Sequence, residues 1–394
     1  MELYKHQQKI LDEFPKKHLL AHGTGTGKTI TSLALANKAN TTTLIICPKS
    51  IKEQWIERAP NEYAVLTKEE FKRKAMDLPQ YNCIIVDEAH NFSGMKSQMS
   101  KILIWYIKKH APTYIYLLTA TPYMSTPWSI YRLAQILGHE WGYMTFKTRF
   151  FQTVYMGRLA VPVVKKGIES QIAKLVASLG STVALEDCVD VPDQIFEVEY
   201  FGLTKEQKLA IADIKTQETN HIVKWTRIHQ VCGGTLKGDG YTEDRMFDSE
   251  KRTRLHEYIE QNNKIVVVCR YLNEVYSLAK DIGNKFKKDV FTISGREKNR
   301  HQIIKDANNS QNCVVIAQAA ASEGYELATF PLMIFYSYDF SLKNYIQMIG
   351  RIQRINALKK NVYISLVVRD SIDNDVYKCI LKKEDFHLAL YSKQ

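Results

Sequence analysis

Short, continuous apolar runs alternate with helix-like patterns through the first 140 residues: HLLA at 18 to 21, TLIIC at 43 to 47, NCIIVD at 82 to 87 and YIYLLT at 114 to 119. The first three lead into segments of helical periodicity. A run that is apolar at every position predicts a strand buried on both faces, and such strands belong to parallel sheets covered by helices. The same grain returns as KIVVVC at 264 to 269, VFTIS at 290 to 294, NCVVIA at 312 to 317, LMIFY at 332 to 336 and VYISLVV at 362 to 368. The predicted fold class is therefore α/β, with two tandem lobes of parallel sheet flanked by helices and a cleft between them, although no sequence repeat is legible.

Residues 141 to 262 differ in texture. They hold the aromatic and basic stretch WGYMTFKTRFFQTVY, the strand-like IFEVEYFGL, a long helical pattern from Thr204 to His229 and the Gly-rich GGTLKGDG. This predicts lobe 1 over 1–189 with a helical insertion from about 141, and lobe 2 over 190–394 with a helical insertion at about 204–262 and a short C-terminal tail. The boundary is placed near DVPDQ, residues 190 to 194, where acids and a proline interrupt regular structure. Aromatics interleaved with basic residues can stack on nucleic acid, but they more often form core. His221 and His229 read as ordinary helix histidines.

At 394 residues the chain is long enough for two or three cores at roughly 150 residues per domain. No apolar run approaches the roughly 18 residues of a membrane span, and MELYKHQQKILDEF has no secretory apolar core. The expectation is a cytoplasmic protein. Lys plus Arg exceed Asp plus Glu by 54 to 42, a net charge of +12, which favours a polyanionic partner such as nucleic acid. The seven cysteines include no Cys-x-x-Cys pair, so neither disulfides nor zinc are expected; Cys47, Cys83, Cys269 and Cys313 sit in apolar runs and read as strand packing.

HLLAHGTGTGKTITSLALA, residues 18 to 36, reads as strand, Gly-rich turn and helix. In such a loop the backbone N–H groups of Gly25, Thr26 and Gly27 and the helix N-terminus face phosphate oxygens. Lys28 reaches the β- and γ-phosphates, and the Thr29 hydroxyl binds magnesium. His22 stands where a glycine is usual. Asp87-Glu88-Ala89-His90 follows the buried run NCIIV, placing acids at the carboxyl end of a strand beside that loop. Asp87 is the second candidate magnesium ligand, and Glu88 the candidate base for an attacking water. Together these predict an ATP hydrolase using ATP and Mg.

These residues, with TATP at 119 to 122, resemble the superfamily 2 nucleic-acid motors, whose core is two RecA-like lobes with ATP between them. More narrowly, LIICPKSIKEQW (Pro48, Ser50, Trp55), LLTATPYMSTPWSIYRLAQIL and QMIGRIQRINALKKNVYISLVVRDSID resemble segments of the Swi/Snf-type double-stranded-DNA translocases. The resemblance runs from Leu3 to about Asp373. It implies that Gln7 reads adenine, and that His90, Thr119 and Thr121 couple hydrolysis to lobe movement. It also implies that Gln347, Arg351 and Arg354 approach the triphosphate from lobe 2, where arginines at a transferring phosphoryl group are worth about 10³ or more in rate.

ASEGYEL at 321 to 327 resembles a Gly-Glu-Gly-Leu-Asn-Leu motif, keeping Glu323, Gly324 and Leu327 but with Ser322 and Glu326 in place of glycine and asparagine. SGREKNR at 294 to 300 keeps the glycine and a later arginine of a DNA-contact segment. NFSGMKS keeps Ser97 but lacks the family's Lys-Asn, and TVALED replaces an arginine pair, which marks a distant member.

The reading implied is an ATP-dependent duplex-DNA translocase. Its phosphate contacts come from Lys49, Ser50, Arg270, Gly295 and Ser322, without sequence specificity. A strand-separating DNA or RNA helicase is the alternative, with 153 to 164 as its candidate hairpin. A DNA-binding scaffold without hydrolysis is the third. With six residues before Gln7 and about forty after Arg354, a bare, monomeric motor of a bacterial or virus-infected cell is expected, targeted by a protein partner and with no membrane association.

Overall fold

The computed structural model describes residues 3–123, 126–156, 159–184, 187–188, 194–238, 243–297, 299–321, 324–353, 360–382 and 386. The chain divides into two units, residues 1–190 and 191–394, each built on its own six-stranded sheet.

Unit 1 runs α1 (Lys5–Glu13), β1 (Lys17–His22), α2 (Lys28–Ala39), β2 (Thr43–Cys47), α3 (Lys52–Arg58), β3 (Ala64–Thr67), α4 (Lys68–Lys74), β4 (Cys83–Val86), α5 (Gln98–His110) and β5 (Tyr114–Leu118). It continues with α6 (Trp128–Ile136), α7 (Tyr143–Phe150), β6 (Phe151–Met156), β7 (Leu159–Val164), α8 (Glu169–Leu179) and β8 (Gly180–Val183). The sheet order is β3-β2-β4-β5-β1-β8, with every neighbouring pair parallel.

Both faces of this sheet are covered, which is why its strands read as unbroken apolar runs. Leu19, Ile46, Ile84 and Leu117 pack with Phe71, Leu103 and Ile130 on one side. Leu20, Ile45, Ile85 and Leu118 pack with Ile10, Leu35 and Trp55 on the other. Neighbouring residues of one strand thus serve opposite cores, as the period of two demands.

The segment after residue 141 is not a helical insertion. It is a helix, an antiparallel hairpin (Phe151 opposite Val164), a second helix and then β8, which returns to the sheet beside β1. Gly180 opens β8 because a Cβ there would lie 2.0 Å from the Leu19 carbonyl oxygen. The aromatic stretch forms core: Trp141, Phe146 and Phe151 gather with Trp128 and Tyr131, with ring centroids 4.7 to 5.7 Å apart.

Unit 2 runs β9 (Ile195–Phe201), α9 (Lys205–Gln217), α10 (His221–Cys232), β10 (Thr235–Leu236), β11 (Arg245–Met246), α11 (Glu250–Gln261), β12 (Lys264–Cys269) and α12 (Leu272–Lys285). It ends with β13 (Asp289–Ile293), α13 (Arg300–Asn309), β14 (Cys313–Gln318), β15 (Leu332–Phe335), α14 (Leu342–Ile352), β16 (Val362–Val368) and α15 (Ile372–Leu381). The order is β13-β14-β12-β15-β16-β9, again all parallel. Two parallel six-stranded sheets flanked by helices make two RecA-like lobes.

The helical pattern from Thr204 to His229 is two helices, not one. The Asn220 side chain accepts from the N–H groups of Ile222 and Val223 at 3.0 and 3.2 Å and starts α10 afresh. The Gly-rich stretch after α10 leads into the small antiparallel ribbon of β10 and β11.

Candidate active site

The glycine-rich turn expected to cradle phosphates lies between β1 and α2. Gly25 and Gly27 both have φ of +81°, a conformation glycine adopts without steric cost. A Cβ at Gly27 would also lie 2.4 Å from Gln7 Nε2. Gln7 is buried and donates through Nε2 to the Gly27 carbonyl at 3.1 Å, while its Oε1 accepts from the Tyr4 N–H at 2.8 Å. The glutamine expected to read adenine is thus tied to the phosphate loop itself. Lys28 Nζ donates to the carbonyls of His22 and Gly23, each at 2.8 Å, and Thr26 Oγ1 donates to the Gly23 carbonyl.

His22, at the position where a glycine is usual, is the last residue of β1, and its carbonyl accepts from Lys28. Its side chain is fully buried, with Nε2 2.7 Å from Ser181 Oγ on β8. Burial first, and then the charges of His6, Lys28 and His18, pull the His22 imidazole down to about 3, so the ring is neutral.

The acidic strand end follows β4. The Asp87 N–H donates to the Ile46 carbonyl at 2.8 Å, extending the ladder between β4 and β2 by one residue. Both Asp87 oxygens accept: Oδ1 from the Glu88 N–H at 2.8 Å and Oδ2 from the Trp55 indole N–H at 2.9 Å. Burial, then the Glu88 charge, push the Asp87 carboxyl up to about 6, while Trp55, Lys28 and the Glu88 N–H pull it the other way. Glu88 itself has φ of +48°, a left-handed backbone of the kind that concentrates at functional sites.

From Glu88 a chain of polar contacts leads to the TATP segment. Glu88 Oε2 is 3.1 Å from His90 Nδ1, which is 3.1 Å from Thr119 Oγ1; that oxygen accepts from the Thr121 N–H at 3.1 Å. His90 and Thr119 are buried. Ser97, kept from the family pattern, serves as N-cap of α5.

The residues present fit a magnesium nucleotide. A 12-residue helix begins at Lys28 behind two left-handed glycines. The donor set is a hydroxyl at Thr29 and a carboxylate at Asp87, hard oxygens of the kind magnesium takes. Each Asp87 oxygen has spent one lone pair on an N–H and keeps another.

In lobe 2, Gln347 is buried on α14. Arg351 turns back into its own lobe: Nε donates to the Gln347 carbonyl at 3.0 Å, Nη1 donates to the Tyr325 carbonyl at 2.6 Å, and its own carbonyl accepts from the Leu327 N–H. Gly324 has φ of +82° just before that loop. Arg354 and Ser322 lie outside the described residues.

Of the expected nucleic-acid contacts, Lys49 and Ser50 are exposed on a 3₁₀ turn, Lys49–Ile51, directly ahead of α3, and Gly295 is exposed with open space around it. Arg270 is different. Its guanidinium pairs with Asp339 and lies 3.4 Å from the centre of the Phe340 ring, with 20% of the side chain exposed. His229 lies on helix α10 and is buried, its two nitrogens contacting Tyr271 OH at 3.0 Å and Asp373 Oδ1 at 3.3 Å. Sequence reasoning missed the link from Trp55 to Asp87. The available signal was that a buried tryptophan needs a partner for its N–H.

Residues 1–77 match the family model for the type III restriction enzyme res subunit, and residues 250–356 match the helicase conserved C-terminal domain. The chain is 22% identical over 341 residues to the CHD3-type chromatin-remodeling factor CHR7 of Arabidopsis thaliana, covering 80% of this chain but only 27% of that relative's length. Among solved structures it is similar to the Sulfolobus solfataricus SWI2/SNF2 ATPase core in complex with dsDNA, at 17% identity and a TM-score of 0.43, covering all of this chain and 92% of that one. With one family model over the glycine-rich loop and the other over α11 to α14, on two RecA-like lobes, the chain is similar to the superfamily 2 helicase-like ATPases and, through its chromatin-remodeling relative, to their Swi/Snf type.

Proposed function

We propose that the protein is a DNA-stimulated ATPase that translocates along double-stranded DNA. The observation that carries the reading is the polar path Glu88, His90, Thr119 and Thr121, which joins the acidic strand end to the segment leading into α6. A path of this kind gives a motor a route by which events at the nucleotide are felt elsewhere in the lobe.

In this reading the glycine loop and the α2 N-terminus hold the phosphates. Lys28 leaves its carbonyl partners for them, and Gln7 leaves Gly27 for the base. Thr29 and Asp87 hold magnesium, which supplies charge neutralisation at the phosphates when bound. Glu88 accepts the proton of the attacking water. Gln347, Arg351 and Arg354 act from lobe 2, and Lys49, Ser50, Gly295 and Ser322 contact phosphates of the track. Arg270 joins them only after leaving Asp339.

Steady-state hydrolysis with no nucleic acid, single-stranded DNA, blunt duplex DNA and duplex RNA tests this, with Glu88→Gln protein as the blank. Strongest stimulation by blunt duplex is expected, and a rate indifferent to every nucleic acid overturns it. The antiparallel hairpin of β6 and β7 favours a second reading, strand separation, because such an element can act as a wedge. Release of a strand from a tailed duplex would decide for it.

A further inference from the structure

Trp55 stands between two parts of lobe 1 that the proposed function treats separately. Its indole is 2% exposed, in the core cluster that also holds Ile10, Leu20, Leu35, Ile45 and Ile85, and close packing of this kind restricts how the ring can turn. Its orientation aims the indole N–H at Asp87 Oδ2, 2.9 Å away. An indole nitrogen is a donor only, so it can steer the carboxylate without competing with it for a cation.

On the other side, α3 starts directly after the exposed Lys49–Ser50 turn, and its first residue is anchored. Lys52 Nζ pairs with Glu70 at 2.8 Å, and Glu70 in turn accepts from the Thr67 N–H at 2.7 Å as part of the cap of α4. The side chain of Lys52 pulls the Glu70 carboxyl down to about 2, with Thr67 helping. The result is a short helix pinned at its start, with an exposed turn ahead of it and one buried side chain on the magnesium-site carboxylate.

We propose that Trp55 is a positioning residue: through its indole N–H it orients Asp87 for the cation and ties that carboxylate to the Lys49–Ser50 turn, so that a phosphate backbone seated on the turn is registered at the nucleotide site. The coupling half of this rests on the proposed function; the orienting half does not. Partners that hold a ligand's carboxylate from behind commonly matter 10- to 100-fold for metal affinity or activity.

The test uses the full chain and Trp55→Phe, which keeps a buried ring and loses the N–H, beside Trp55→His, which restores a ring N–H. Mn2+ binding in the presence of ADP is read by electron paramagnetic resonance, and ATP turnover is read with and without blunt duplex DNA. Trp55→Phe is expected to weaken Mn2+ binding about tenfold and to cut the ratio of DNA-stimulated to basal turnover by a similar factor, at unchanged duplex affinity. Trp55→His recovers part of both. A variant that binds Mn2+ and responds to DNA within about twofold of the unaltered protein overturns the inference.

A readout that needs no folded variant is the indole N–H spectrum of 15N-tryptophan protein. Mn2+ with ADP should broaden one of the five indole signals selectively, and a spectrum that loses none of them overturns the orienting half. If the unaltered protein is not stimulated by any nucleic acid, the proposed function fails and takes the coupling half with it, while the Mn2+ measurements still decide whether Trp55 orients Asp87.

Discussion

The two lobes share a sheet plan but differ in the partners of their buried carboxylates: neutral donors at Asp87 in lobe 1, a lysine at Asp373 in lobe 2. In lobe 1 the polar side chains converge on one strand end: Asp87 is held by Trp55 and the Glu88 N–H, and Glu88 is joined through His90 to Thr119. In lobe 2 the cations bond within the lobe, as Lys28 of lobe 1 does to the His22 and Gly23 carbonyls, and there they also meet carboxylates. Arg351 is bonded to backbone carbonyls, and Arg270 to Asp339. Lys251 is buried 2.8 Å from Asp373, whose other oxygen faces His229. Lobe 1 therefore gathers an indole N–H, a backbone N–H and a histidine at two adjacent carboxylates, whereas lobe 2 uses its ion pairs to hold its elements together. The same residue types in the same fold do different work according to whether a partner already neutralises them.

The largest effect that would break this contrast is at Glu88. Glu88→Gln should lower ATP turnover by about 10²- to 10⁴-fold while leaving nucleotide binding near normal, measured by phosphate release and by fluorescent-nucleotide titration. Retained turnover would mean lobe 1 is not the chemical lobe.

Next in size is Asp373. Removing its carboxylate strands a buried Lys251 cation, so Asp373→Ala should destabilise lobe 2 by about 3–5 kcal/mol, while the paired change Lys251→Met with Asp373→Leu should cost far less. Urea titrations followed by hydrogen exchange in each lobe check this, and lobe 1 protection should not move. Burial raises the Asp373 pKa, but Lys251 and His229 outweigh it and hold the carboxyl well below the usual range, so its stabilisation is present above about pH 4 and is lost on acidification.

Glu274 gives a smaller effect of opposite sign. It is fully buried with Ser337 Oγ and the Tyr271 N–H on one oxygen, and burial pushes its carboxyl up to about 7. The folded state thus binds the proton more tightly than the unfolded chain. Lobe 2 should lose stability as pH rises from about 4.5 through 7, by roughly 1–3 kcal/mol. Glu274→Gln should flatten that slope and be the more stable form at pH 8, with the advantage gone near pH 4.5, read from urea midpoints across pH.

The smallest effect sharpens the lobe 1 side. His22→Ala removes a neutral, buried ring bonded to Ser181 but leaves the carbonyl that holds Lys28. It should cost roughly 1–3 kcal/mol of stability and change nucleotide affinity by less than about threefold. A larger loss of affinity would give the side chain a part in the cradle that its backbone alone does not explain.

Much of this was legible in the chain. The strands with unbroken apolar runs are where the sequence puts them, because burial on both faces leaves no polar alternation to misread. β3 and β8 were not legible. Each is a four-residue edge strand, half-buried, and GSTV carries no apolar signature beyond its valine. The helical pattern from Thr204 hid a break that only the Asn220 cap reveals, and the segment after 141 read as insertion because its last strand is so short. At the candidate site, Lys28, Asp87 and Glu88 were singled out from motif spacing and His90 and Thr119 from the family resemblance, and each stands beside a backbone feature with its own sequence signature: a glycine turn or a strand end.

What the sequence determined by itself is the local machinery: a loop whose glycines must take positive φ, acids at the end of a buried strand, and two sheets whose apolar runs demand cover on both sides. Those follow from neighbours along the chain. Only the tertiary structure decided the state of each charged group. Trp55 and Asp87 are 32 residues apart, Arg270 and Asp339 69, and Lys251 and Asp373 122. A side chain's protonation, orientation and freedom depend on what the fold brings within about 3 Å of it, and no local pattern records that.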